Sequence, residues 1–262
     1  VFNMLGYKFQ ESEYVGRGVI ESIGVGIDFK DGDLALRGNF STLDENGNII
    51  DRRAGRNIER EDAQQISKEI EEKIKFSNPN ASVIVSPTIG HRVVIRIRDD
   101  QVLSSQISNT DPAYSRVDGM GVAKDVDASM KIEKCIPLDE NDDSKNTAKL
   151  VNEFTEQSLE IMKKSDVNKR RSEKNQKLLN SILVRDAGNK YPAAEPINDL
   201  YSMNFSCIVD MPVEIGISNV LKMRSYKAGG LTDYEEKAKV AAESMNEQNA
   251  IYVHLKGPDE FG

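Results

Sequence analysis

The sequence predicts an α/β protein made of a small α+β unit and a parallel sheet covered by helices on both faces. Three observations carry this reading. Residues 33–100 run in the order β-β-α-β-β, and beyond residue 144 strand-like runs alternate with helical ones. With 262 residues, 38% of them hydrophobic, the chain can also bury a large core.

The elements follow in order. Residues 7–27, YKFQESEYVGRGVIESIGVGI, are rich in glycine and set Arg17 between Gly16 and Gly18, as suits a loop leading into a short helix. DGDLALRGNFSTLDENGNIIDRR then alternates on both sides of the polar turn DENGN. Asn46-Gly47 supplies the positive φ angles of a tight turn, so the stretch predicts a β-hairpin. In EREDAQQISKEIEEKIKF, Ala63, Ile66, Ile70 and Ile74 recur at helical spacing behind an acidic first turn, which predicts an amphipathic helix. ASVIVSPTIGHRVVIRIRDD reads as two short strands joined at Pro87 to Gly90.

Residues 109–145 are polar and rich in Asp, Ser and Gly, and read as a linker or irregular crossing. The next segment, SKNTAKLVNEFTEQSLEIMKKSD, predicts a long helix with Leu150, Phe154, Leu159 and Met162 on one face. After it the strands SILVRDAG, NFSCIVD and AIYVHLKG alternate with helices at Met211–Met223 and in TDYEEKAKVAAESMNEQ, the pattern of a doubly wound parallel sheet.

Charge narrows the partners. A net charge of −8 argues against a general nucleic-acid binder, which needs surplus Lys and Arg to neutralise phosphates. No apolar run reaches the roughly 18 residues of a membrane span and no signal-peptide layout opens the chain, so a cytoplasmic protein is expected. Cys135 and Cys207 lack metal or disulfide spacing and are expected as buried thiols.

Within this acidic chain, IIDRRAGR concentrates Arg52, Arg53 and Arg56, with Arg37 and Asn39 on the partner strand of the hairpin. Planar guanidinium forks fit phosphate and carboxylate oxygens, so the cluster is a candidate site for a small multiply charged anion. Surface salt bridges fit the spacing equally well. His91 and Arg92 follow a glycine at a strand entrance, where a side chain can project into a cleft, although a lone His is more often structural. Asp259 falls just past the carboxyl end of the last strand, where ligand groups gather in open α/β sheets. A carboxylate there suits a hard divalent metal, with a turn or cap as the ordinary alternative. No P-loop, GxGxxG or GxSxG motif occurs.

LGY, GRG, GDLALRGNFSTL, DRRAGR, HRVV, VNKRR, LLNSILVRDAG and VHLKGPDEFG occur in that order. Together they resemble the archaeal-type 2,3-bisphosphoglycerate-independent phosphoglycerate mutases of the alkaline phosphatase superfamily. The resemblance implies an alkaline phosphatase-like parallel sheet core, residues 1–24 and 126–262, interrupted by a smaller inserted α+β domain at 25–125. It implies interconversion of 3-phosphoglycerate and 2-phosphoglycerate through a phosphoserine, with two divalent ions, manganese or zinc, activating the nucleophile. Arg37, Asn39, Arg53, Arg56, His91, Arg92 and Arg185 match positions expected to hold substrate. Arg171 also matches, and it or Arg185 could instead brace the core.

Asp259 matches a metal ligand of the family, whose next histidine would follow Gly262. The nucleophilic serine is expected upstream of Val1, so the polypeptide as it stands is expected to be inactive. Two departures stand out: Lys8-Phe9 replaces the usual Asp-Pro, and Asp186 stands where the family has glycine. The implied partner is phosphoglycerate, with no nucleic acid or membrane and with an oligomer left open. Two other readings are a sister phosphotransferase such as a phosphopentomutase, and a non-catalytic protein that binds a phosphorylated metabolite.

Overall fold

The computed structural model describes residues 1–8, 15–117, 120–124 and 130–256. Its central element is β1 (Leu34–Leu43), flanked by β4 (Arg92–Arg98) on one edge and β7 (Ser181–Gly188) on the other. β3 (Ser82–Pro87) pairs with β4, and β2 (Ile49–Asp51) folds back on the tip of β1 through the DENGN turn, where Gly47 takes a φ of 78°. All these pairings are antiparallel.

Alternation along β1 decides what each face does. Leu34, Leu36 and Phe40 point into a core shared with Val93, Ile95, Ile97, Ile182 and Val184. Over that face lie α2 (Arg60–Lys73), contributing Ala63, Ile66 and Ile70, and α3 (Asp142–Lys163), contributing Leu150, Val151, Phe154 and Met162. The buried face of α3 passes through Ser158 rather than the expected Leu159, which is half-buried. The Ser158 hydroxyl satisfies itself on the Phe154 carbonyl at 2.6 Å.

Two expectations are corrected here. SILVRDAG, expected in the parallel sheet, runs as β7 antiparallel beside β1 with every residue buried. A continuously buried strand reads the same in either setting, because local sequence does not name the edge it will cover. The core beneath β1 also takes in side chains from α3 and from β7 as far as Ala187. Residues 109–113 are no linker either: the Thr110 amide donates to the Val184 carbonyl at 3.0 Å, and the Val184 amide donates to the Thr110 hydroxyl at 3.0 Å. Beyond them β5 (Tyr114–Val117) and β6 (Met120–Ala123) form a hairpin.

The parallel sheet is present in the remaining chain. β8 (Phe205–Ile208) pairs in parallel with β9 (Arg224–Ser225) and β10 (Ala250–Val253). Around it stand α5 (Ile197–Tyr201), α6 (Pro212–Val220) and α7 (Tyr234–Ser244); α4 (Asp166–Glu173) belongs to the first unit. The two units meet where α1 (Arg17–Gly24) crosses α6. A Cβ on Gly24 would lie 1.9 Å from the Pro212 carbonyl oxygen, and one on Gly216 would lie 1.9 Å from that of Ile20, so the crossing distance requires glycine on both helices. Both cysteines are free and buried, and no described helix is long and apolar enough to cross a membrane.

Candidate functional site

The face of β1 opposite the core carries Arg37 and Asn39. Pairing sets Arg185 of β7 opposite Arg37, and Arg92 of β4 opposite Asn39, so four polar side chains share one patch of sheet. α1 covers only the Ala35 end, where Val19 and Phe29 pack on it. The other end opens into a cleft of about 780 Å³.

A second group of arginines comes from the loop after β2. The Asp51 carboxylate accepts the Arg53 amide at 2.7 Å and the Gly55 amide at 3.0 Å. Ala54, Gly55 and Arg56 then adopt left-handed φ values of 44°, 77° and 55°. Arg171, fully buried, braces this loop by donating to Asn57 Oδ1 at 2.9 Å and the Lys177 carbonyl at 2.7 Å. Its role is thus structural, one of the two readings left open by the sequence, and the loop it braces delivers Arg52, Arg53 and Arg56 to the cleft.

Seven arginines (17, 37, 52, 53, 56, 92 and 185) and Lys256 line the cleft together with Asn39, His91 and Tyr114. Three buried carboxylates organise part of this charge. Asp111, with 0% exposure, accepts Arg52 Nη2 at 2.5 and 2.7 Å and Arg185 Nη1 at 3.0 Å. Both guanidinium groups also lie over the Tyr114 ring, at 5.3 and 4.6 Å from its centroid. Glu21 stands 3.4 Å from Arg37 Nε and 3.7 Å from Arg17, and Asp186 stands 4.0 Å from Arg37 and 3.9 Å from Arg185. Among the described residues Arg53, Arg56 and Arg92 have no carboxylate in ion-pair range, which leaves their forks open to a ligand.

The electrostatics follow from this crowding. Burial, followed by the charges of Arg92, Arg56, Arg185 and Arg37, holds His91 down at about 4, so it is a neutral imidazole at physiological pH. Burial likewise drives Arg37 down to about 10 against the opposing pull of Glu21. Arg37 Nε is buried without a hydrogen-bond partner. A site with this much desolvated positive charge is built for an anion.

All seven residues expected from the sequence at the substrate site, Arg37, Asn39, Arg53, Arg56, His91, Arg92 and Arg185, line this one cleft. Asp259 lies outside the described residues. Sequence reading gave no site role to Asp111, Tyr114 or Lys256, and treated Arg17 as a loop residue; the Asp111-Pro112 turn signal was the one available cue to the first two. Among the described residues no three His, Cys, Asp or Glu side chains converge as a metal site. His254, one residue beyond β10, instead approaches Glu214 at 3.8 Å.

Comparison with known proteins agrees with this geometry. Residues 1–168 match the family model described as 2,3-bisphosphoglycerate-independent phosphoglycerate mutase. The enzyme so named from Aeropyrum pernix is 36% identical over 99% of this chain and 62% of its own length. That from Methanobrevibacter smithii is 33% identical over 99% of this chain and 60% of its own length. Among solved structures, the cofactor-independent phosphoglycerate mutase of Thermoplasma acidophilum superposes with a TM-score of 0.63 at 28% identity, covering 96% of this chain and 62% of that one. A Pyrococcus horikoshii protein shares the fold at TM-score 0.66 and 20% identity, over 97% of this chain and 55% of its own. The chain spans less than two thirds of the curated relatives it matches. With the match extending through the arginine loop, strands β1 and β4 and α3, the chain belongs to the 2,3-bisphosphoglycerate-independent phosphoglycerate mutase family.

Proposed function

We propose that this chain supplies the substrate clamp of an enzyme that interconverts 3-phosphoglycerate and 2-phosphoglycerate without added bisphosphoglycerate. One observation carries the reading: strands β1, β4 and β7 and the braced 52–56 loop converge their arginines on a single cleft. Phosphoglycerate bears a phosphate and a carboxylate, and guanidinium forks hold both by paired charge-assisted hydrogen bonds. The open forks of Arg53, Arg56 and Arg92 are placed for the ligand, while Arg52 and Arg185 are held in position by Asp111. Asn39 and neutral His91 offer hydrogen bonds to a glycerate hydroxyl without adding charge. A clamp of this kind keeps glycerate bound while its phosphoryl group is absent, so that the group returns to the neighbouring hydroxyl rather than passing to water.

Divalent metals, manganese or zinc, are part of the same proposal, with Asp259 as a ligand. The described residues form no cage for them, and the arginine clamp holds an anion through its own guanidinium groups. We place the enzyme in the cytoplasm as the setting of that interconversion. The test is conversion of 3-phosphoglycerate to 2-phosphoglycerate by the full-length protein, with manganese and then with excess chelator, in the absence of bisphosphoglycerate. Turnover that disappears on chelation supports the reading. A folded protein that turns over a pentose phosphate instead, or binds phosphoglycerate with no turnover in either condition, overturns it.

A further inference from the structure

β7 departs from regular pairing at one place. Ala35 opposes Gly188 and Arg37 opposes Arg185, so the register shifts between them and Asp186 sits in the irregularity. Its φ is 58°, in the left-handed region, where a non-glycine residue is held at a cost that the surroundings must offset. Its side chain is 7% exposed and faces inward. Arg37 and Arg185, directly opposite one another on adjacent strands, are like charges in a position that destabilises a sheet.

We propose that Asp186 determines the cleft's anion affinity, as a built-in counter-charge that tempers Arg37 and Arg185 while the cleft is empty and competes with the anion when it arrives. The distances favour this over a bracing role. At 4.0 and 3.9 Å the carboxylate is within ion-pair range of both guanidinium groups but forms a hydrogen bond to neither. Asp111, by contrast, grips its two arginines at 2.5 to 3.0 Å and fixes their geometry. Asp186 therefore lowers the positive potential at both arginines without tying up their N–H groups in hydrogen bonds of its own, the positioning contacts being those of Glu21, 3.4 Å from Arg37 Nε, and of Asp111 on Arg185 Nη1. Under the proposed function, such a counter-charge weakens product binding and so favours release.

The inference rests on the cleft being the anion site, and the experiment separates the two. Inorganic phosphate is titrated calorimetrically into the parent chain, Asp186→Asn and Asp186→Gly at two salt concentrations, with thermal midpoints recorded. Asparagine tolerates left-handed φ and keeps the size, whereas glycine also relieves the backbone. Both variants are expected to bind phosphate about three- to tenfold more tightly than the parent at low salt, with a smaller gain at high salt. If the parent binds phosphate and both variants bind it equally well, with only the glycine variant's midpoint raised, Asp186 is a structural bulge residue and the inference fails alone. If folded parent and variants all fail to bind phosphate, the anion site and the inference fall together.

Discussion

Replacing Asp111 with asparagine tests how the cleft is held together. Asp111 is fully buried and accepts three hydrogen bonds from two guanidinium groups, Arg52 on one side and Arg185 on the other. The two arms are unequal: the Arg52 side chain is 27% exposed and can recover water, whereas Arg185 is 5% exposed and cannot. Breaking a buried ion pair by removing one partner costs about 3–5 kcal/mol. Asparagine retains one acceptor oxygen and the Arg52 arm is partly solvated, so the lower end, about 3 kcal/mol, is expected. At about 2–4 °C per kcal/mol for a chain of this size, the thermal midpoint should fall by roughly 6–12 °C. Differential scanning calorimetry of parent and Asp111→Asn at neutral pH reads this directly. A midpoint within about 2 °C of the parent would refute the idea that one carboxylate anchors both arginines.

Two further predictions concern the same cleft. His91 ordinarily titrates near 6.5 but is held at about 4, so the unfolded chain takes up its proton first and this contribution to stability is lost as pH falls from 6.5 towards 4. At pH 5 the loss is on the order of 1 kcal/mol once solvent screening of this partly exposed ring is allowed for, His91→Gln should flatten that limb of the stability curve, and an imidazole resonance titrating near 6.5 in the folded protein would contradict the burial argument. Arg53→Ala and Arg56→Ala remove forks that have no carboxylate partner, so each should weaken 3-phosphoglycerate binding by about ten- to a hundredfold in calorimetry with little change in thermal midpoint. Unchanged affinity in both would place the ligand elsewhere.

Much of the site was legible because its residues sit on locally decided elements. The Asn46-Gly47 turn and the alternation around it put Arg37 and Asn39 on one face of β1 with the Arg52–Arg56 loop at the hairpin's far end. His91 and Arg92 likewise follow from the strand start after Gly90. Asp111 was hidden because its segment looked polar and unstructured, and what makes it a core residue is the pair of arginines arriving from elsewhere in the chain.

Local sequence sets the periodicity of each strand and helix and the concentration of arginine in a chain of net charge −8. Those are properties of neighbours a few residues apart, set by backbone geometry and side-chain chemistry. Tertiary structure decided which edge β7 would cover, and with it the meeting of Arg185 and Arg37 across 148 positions, as well as the burial that makes His91 neutral. Strand pairing answers to unsatisfied backbone groups along an edge that can be filled from anywhere in the chain, and desolvation depends on everything packed around a group, so neither is written in a local stretch of residues.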